Sequence, residues 1–127
     1  MEEGEGEVFS KFMNMLKYIF GNATAERVLL HIYHYGSIHA AAIASDYGLA
    51  VTPILNQLER FEKSGILIAK TIGKSRVYSF NPKTPFAKPI KELLKIAYES
   101  IPLEEREAIF KIRRRPRSKG KPVIYGI

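Results

Sequence analysis

The 127-residue sequence contains no cysteine. Without cysteine, the chain has no disulfide framework, no thiolate metal site and no thiol nucleophile. It also contains no apolar run near the ~20 residues that a membrane-spanning helix needs. Its acidic start, MEEGEGE, is the opposite of the basic front of a signal peptide. These absences predict a cytoplasmic protein with no membrane partner.

Motifs for catalysis and for metal binding are missing as well. The sequence has no glycine-rich phosphate loop, no HExxH and no paired acids in a defined loop setting. His31 and His34 are three residues apart on a predicted helix, which is a spacing that metal ligands can use. Histidines at this spacing are more often ordinary packing residues. We therefore predict that the protein is not an enzyme and has no cofactor and no metal.

Positive charge is concentrated at the C-terminal end. The net charge is +7, and residues 111–121, KIRRRPRSKGK, contain seven lysines and arginines without any acid. The remaining 13 basic residues balance the 13 acidic ones, four of which lie in residues 1–7. The chain is thus predicted to have a flexible acidic N-terminus (1–7), one folded domain (8–110) and a basic tail (111–127).

Hydrophobic periodicity predicts elements in the order helix, helix, short strand, helix, helix, two-stranded hairpin, helix, helix. Glycine, proline and capping residues predict where these elements begin and end. The predicted signals are Gly21-Asn22 after a helix over 8–20, Thr24 as the next N-cap, Gly36, the strand pair Ser37-Ile38, Gly48, Thr52-Pro53 as N-cap and first helical residue, Gly65, the hairpin tip Gly73-Lys74, Pro89 and Pro102.

A three-helix core with a helix-turn-helix and a following hairpin is the winged helix-turn-helix plan. The stretch GSIHAAAIASDYGLAVTPILNQLERFEKSGILIAKTIGKSRVYSF resembles the ArsR-like and MarR-like superfamily of regulators. The matching features are Gly36-x-Ile38, Ile43-Ala44, Gly48-Leu49, the LxxFEKSGIL run into the wing, and RVYSFNP before a dimer-type helix. The resemblance covers about residues 23–100. It implies a mainly α fold with a β-hairpin wing and extra N- and C-terminal helices.

The same resemblance implies a function. Members of this superfamily are dimeric transcriptional regulators that bind double-stranded DNA, so we expect a homodimer that is associated with the nucleoid when bound. Repression is expected rather than activation. In this fold the second helix of the turn lies in the major groove. Arg60 is expected to contact phosphate or guanine. The full set of residues expected to contact DNA on this helix is Val51, Thr52, Pro53, Asn56, Gln57 and Arg60.

The residue types on this helix suit base reading. Amides and hydroxyls such as those of Asn56, Gln57 and Thr52 bind base edges, and an asparagine or glutamine pairs bidentately with adenine. An uncharged face of this kind supplies specificity, so the charge that binds phosphates must come from elsewhere. The predicted source is the hairpin, with Lys70, Lys74, Ser75 and Arg76, and the tail, with Arg113, Arg114, Arg115, Arg117, Lys119 and Lys121.

The first predicted helix is too apolar for a free surface element. We predict that it packs with the helix over 89–99 across a two-fold axis. The interface residues expected on this basis are Phe9, Phe12, Met13, Leu16, Ile90, Leu93 and Leu94. A dimer of this kind places two reading helices one DNA turn, ~34 Å, apart.

Two other functions fit the same residues. Winged helices also serve as protein-interaction modules, in which case the basic tail binds an acidic partner surface. An architectural protein binds DNA without sequence preference. The hairpin lysines can also be read as edge protection against aggregation. Binding to random and to selected duplexes separates these alternatives.

Overall fold

The computed structural model describes residues 16–110. Predictions that concern residues 1–15 and 111–127 lie outside the described residues, and these include Phe9, Phe12, Met13 and the basic tail. The elements in chain order are a helical segment at 16–20 (α1), α2 (Ala23–Tyr35), β1 (Ser37–His39), α3 (Ala40–Tyr47), α4 (Val51–Ser64), β2 (Leu67–Ile72), β3 (Ser75–Phe80), α5 (Ala87–Ser100) and α6 (Leu103–Ile109).

The predicted order of elements is confirmed for this part of the chain, but three helix starts differ from the predicted ones. Asn22, not Thr24, caps α2, because its extended backbone lets Oδ1 accept a hydrogen bond from Ala25 N at 2.7 Å. Helix α4 begins at Val51 with Ala50 as its N-cap, so the predicted cap Thr52 lies inside the first turn. Helix α5 begins at Ala87, two residues before Pro89, because proline is tolerated in a first turn.

Helix α2 is the centre of the core. Its side chains are buried on more than one face, and α4, α5 and the sheet pack around it. Each apolar side chain moved out of water contributes about 1.5–3 kcal/mol, so this packing is the main source of stability. The largest fully buried residues are Tyr35, Tyr78, Phe110, Leu29, Leu30, Ile32, Ile43, Ile54, Leu58, Leu67, Leu94 and Ile101.

The wing is a sheet of three antiparallel strands within the described part of the chain, in the order β1-β3-β2. Strands β2 and β3 form the predicted hairpin, and Gly73 at its tip has a φ of 64°, which glycine adopts without steric cost. The pairing of β1 with β3, with Ile38 opposite Tyr78, was not predicted. It anchors the hairpin to the start of α3, so the wing and the helix-turn-helix form one unit.

Buried polar contacts also fix the helices around α2. His31 Nε2 and Asp46 Oδ2 are 2.8 Å apart, which links α2 to α3. Glu26 is almost completely buried, and its Oε2 accepts a hydrogen bond from Leu16 N at 3.1 Å. Burial raises the pKa of Glu26 to about 7. The core therefore contains a carboxyl group that titrates near neutral pH.

None of the helices within residues 16–110 is long and apolar enough to cross a membrane.

Candidate nucleic-acid interface

Helix α4 has one face in the core and one in solvent. Ile54, Leu58 and Phe61 are buried, as the four- and three-residue spacing predicts. On the outer face, Val51, Thr52, Pro53 and Asn56 are all exposed, and Val51 keeps 42% of its surface accessible. The first turn contains no acidic residue, so the N-terminal end of α4 presents amides, a hydroxyl and apolar groups.

The turn before α4 explains its position. Gly48 ends α3 in the left-handed conformation, with a φ of 67°, and Leu49 N donates to Ala44 O at 2.9 Å. A left-handed residue at this position lets the chain reverse within a few residues, which glycine does most easily. The helix restarts at Val51, so the start of α4 projects away from the core.

Arg60 lies on the outer face but is engaged in intramolecular contacts. Its Nη2 donates to the carbonyl oxygen of Phe20 at 2.8 Å, and its Nε donates to Oε1 of Gln57 at 3.0 Å. The guanidinium also lies 4.9 Å from the ring centroid of Phe61. The sequence predicted Arg60 as a contact to phosphate or guanine, and it gave no sign that this side chain braces α4 against α1.

The predicted wing residues differ in their surroundings. Lys70 and Lys74 are exposed, Lys74 at the tip, whereas Ser75 is half-buried. Arg76 is exposed, but its Nη2 is 2.7 Å from Oε2 of Glu62, so this ion pair connects the wing to α4. A hydrogen bond with Tyr78 and the charge of Glu62 raise the pKa of Arg76.

The predicted dimer residues within the described part of the chain differ in how deeply they are buried. Leu16 and Leu94 are buried in the core of the single chain, so a partner cannot reach them as surface residues. Ile90 and Leu93 are partly buried against that core. Two exposed apolar residues were not predicted: Ile96 on α5 keeps 67% of its surface accessible, and Leu103 at the start of α6 keeps 60%.

His31 and His34 belong to an aromatic cluster. His34 Nδ1 is 2.6 Å from the Tyr98 hydroxyl, and its ring stacks on Phe110 at 4.8 Å. Burial, and then the neighbouring charges of His31 and Arg106, lower the pKa of His34 to about 4. This ring is therefore a neutral packing group at physiological pH. Within residues 16–110, no three histidine or acidic side chains lie together in a way that could hold a metal ion.

A second basic surface lies on α5. Lys88, Lys91 and Lys95 line a groove of about 650 Å³ together with Tyr33 and one acidic residue, Glu92. The prolines of the loop before α5 form its apolar wall. No sequence pattern connects these lysines with Tyr33, because the groove forms where α5 packs on α2.

The chain is similar to known proteins in its three-dimensional fold. No protein-family model and no curated protein sequence matches the chain. The solved structure of the AntR antimony-specific transcriptional repressor is 24% identical, with 83% of this chain and 86% of that chain covered and a TM-score of 0.49.

Two further solved structures have higher TM-scores. The structure of overoxidized AbfR bound to DNA is 18% identical over 84% of this chain and 78% of that chain, with a TM-score of 0.53. A MarR-family transcriptional regulator from Rhodococcus sp. RHA1 is 14% identical over 79% of this chain and 78% of that chain, also with a TM-score of 0.53. The predicted fold class is confirmed: the chain has the winged-helix fold of MarR-type regulators.

Proposed function

We propose that the protein is a transcriptional regulator that binds double-stranded DNA in a sequence-specific manner and represses by occupying its site. The observation that carries this proposal is the outer face of α4. Thr52 and Asn56 are exposed there beside apolar Val51 and Pro53, on a helix whose opposite face is fixed in the core. Hydroxyl and amide groups are suited to base edges, and the apolar groups to thymine methyls.

The charge around this face supports the same function. Lys70 and Lys74 of the wing are exposed, and strands β2 and β3 contain no acidic residue. The basic tail supplies seven further positive charges. Phosphate contacts of this kind give affinity and position the protein, while base contacts give specificity. The fold is also that of AbfR, which has been solved bound to DNA.

Dimerisation is part of the proposal. Exposed Pro89 and Ile96 and half-buried Leu93 form a stripe along α5, and Leu103 is exposed at the start of α6. An exposed apolar stripe on a helix indicates a surface that another chain covers. We expect Ile96→Glu to convert a dimer into a monomer in sedimentation at micromolar concentration, while Lys95→Glu leaves it dimeric. A monomeric wild-type protein would contradict this part of the proposal.

Selection of bound sequences from a pool of randomised duplexes tests the function. We expect a motif with two inverted half-sites about 10 base pairs apart, because two reading helices on a two-fold axis meet successive major grooves. Retention of DNA without an enriched motif would indicate an architectural protein. No retention of DNA would favour the protein-interaction module.

The wing gives a separate prediction. Lys74→Ala is expected to weaken binding to the selected duplex and to a random duplex by the same factor, because a lysine at the tip contacts phosphate and not bases. The slope of log K against log salt should fall by about one unit. Lys83→Ala, an exposed lysine outside the hairpin, is the control. An unchanged slope for Lys74→Ala would show that the tip of the wing does not contact DNA.

A further inference from the structure

The orientation of the Gln57 side chain depends on a hydrogen bond from Arg60 as well as on its position in α4. We propose that Arg60 is a positioning residue that fixes which hydrogen-bonding groups Gln57 offers to DNA, so that Gln57 selects guanine or thymine and disfavours adenine. This inference rests on the proposed function. It replaces the more general expectation that a glutamine in the reading helix pairs with adenine.

Arg60 is held from two directions. Its Nη2 donates to the carbonyl oxygen of Phe20, the last helical residue of α1, where a cation is favoured by the helix dipole. Its guanidinium lies against the Phe61 ring, and that ring in turn meets Phe20 edge-on with centroids 6.4 Å apart. The carbonyl of Phe20 on α1 and the ring of Phe61 on α4 therefore hold the guanidinium in place, and Nε points along α4 to Gln57.

The contact from Nε decides the orientation of the Gln57 amide. Nε of Arg60 is 3.0 Å from Oε1 of Gln57. Arginine carries donors and no acceptor, so the oxygen of the amide must face Arg60 and the NH₂ group must face away from it. Rotating the amide by half a turn would place two donors against each other. Arg60 thus determines that Gln57 presents donors to the outside.

The edges of the bases differ in the hydrogen-bond donors and acceptors that they offer. Adenine needs an oxygen and an NH₂ group side by side, because it offers a donor at N6 and an acceptor at N7. Guanine offers two acceptors, N7 and O6, and thymine offers the acceptor O4. A Gln57 whose oxygen is held by Arg60 matches the acceptors of guanine and thymine. Pairing with adenine also needs the oxygen, whose second lone pair must accept from N6 while the first accepts from Arg60, so the Arg60 contact restricts the amide orientations that fit adenine.

The experiment compares selected motifs from four proteins: wild type, Gln57→Ala, Arg60→Met and Lys63→Met. Gln57→Ala identifies the base position that Gln57 reads, since only that position should lose its preference. At this position the wild type should favour guanine or thymine over adenine by about tenfold. Arg60→Met keeps an apolar stem over Phe61, and it should admit adenine there while the other positions stay unchanged. Lys63→Met removes the same charge from α4 and should keep the wild-type preference.

The outcomes separate this inference from the proposed function. Adenine at the Gln57 position in the wild-type motif, or an unchanged preference in Arg60→Met, would overturn the inference and leave sequence-specific binding intact. A wild-type protein that enriches no motif would overturn both. Thermal unfolding of each variant shows whether it is folded. If Arg60→Met does not fold, Arg60→Lys replaces it, because a single ammonium cannot bond Phe20 and Gln57 in the same fork geometry.

Discussion

Removal of all residues after Phe110 is expected to lower the affinity for every duplex, whatever its sequence. The seven positive charges of residues 111–121 equal the whole net charge of the protein. Each phosphate that a protein cation neutralises releases condensed counterion and contributes about 0.9 to the slope of log K against log salt. If most of these charges contact DNA, the slope falls by several units, and the affinity at physiological salt falls on the order of a hundredfold or more.

The truncation is designed to leave the domain intact. Phe110 is retained because its ring is buried and stacks on His34. A second, full-length variant with glutamine in place of the tail lysines and arginines shows whether charge or chain length matters. Both variants should keep the unfolding temperature and the base preferences of the wild type. A truncated protein with the wild-type salt slope would show that the tail has another role, such as binding an acidic partner.

Glu26→Gln is expected to stabilise the protein above neutral pH. Glu26 is 1% exposed, and desolvation raises its pKa from the ordinary 4.5 to about 7, although the hydrogen bond from Leu16 N acts in the opposite direction. Ionising this carboxyl group in the core is therefore unfavourable. Glutamine keeps an oxygen that can accept from Leu16 N and removes the charge. At pH 8 the variant should be more stable by about 3 kcal/mol, since one pKa unit corresponds to about 1.4 kcal/mol.

The pH dependence of this effect has a definite sign. Between pH 4.5 and pH 7 the folded protein holds the Glu26 proton while the unfolded chain has released it, so this group lowers the stability as the pH rises. Above pH 7 the loss is complete and constant. Wild type and variant should be equally stable near pH 4, and the difference should grow up to pH 7. A difference that does not vary with pH would contradict the raised pKa.

His34 affects the wild-type curve in the opposite direction. Its pKa is lowered to about 4, so between pH 4 and pH 6.5 the unfolded chain binds more protons and the stability rises with pH. The two groups oppose each other over much of the same range. For this reason the quantity to measure is the free energy of unfolding of Glu26→Gln relative to wild type at each pH, by urea denaturation.

The fold could be predicted because its signals are local. The spacing of Ile54, Leu58 and Phe61 identifies α4. Gly48 indicates the end of the preceding helix, and Gly65 indicates the end of α4. The hairpin was likewise visible from two β-prone runs on either side of Gly73. The exposed front of α4 followed from the same periodicity, because the residues opposite a buried stripe face solvent.

What could not be predicted depends on contacts between distant residues. Arg60 meets the carbonyl of Phe20, forty residues earlier, and no pattern within α4 reveals this. Glu26 looks like an ordinary first-turn acid in the sequence, and only the packing of α1 over it shows its burial. Leu94 was assigned to a partner by its place on an amphipathic helix, yet α5 turns that face to the chain's own core. Periodicity shows that a face is buried but not what covers it.

The most direct test of the account is the effect of Asn56→Ala on two duplexes, the selected one and a random one. Asn56 is exposed on the front of α4 and uncharged, so it should contribute to base reading and not to phosphate binding. We expect the free energy of binding to the selected duplex to become less favourable by about 1–3 kcal/mol, with little change on random DNA. The slope of log K against log salt should stay unchanged. An equal loss on both duplexes would show that α4 does not read bases.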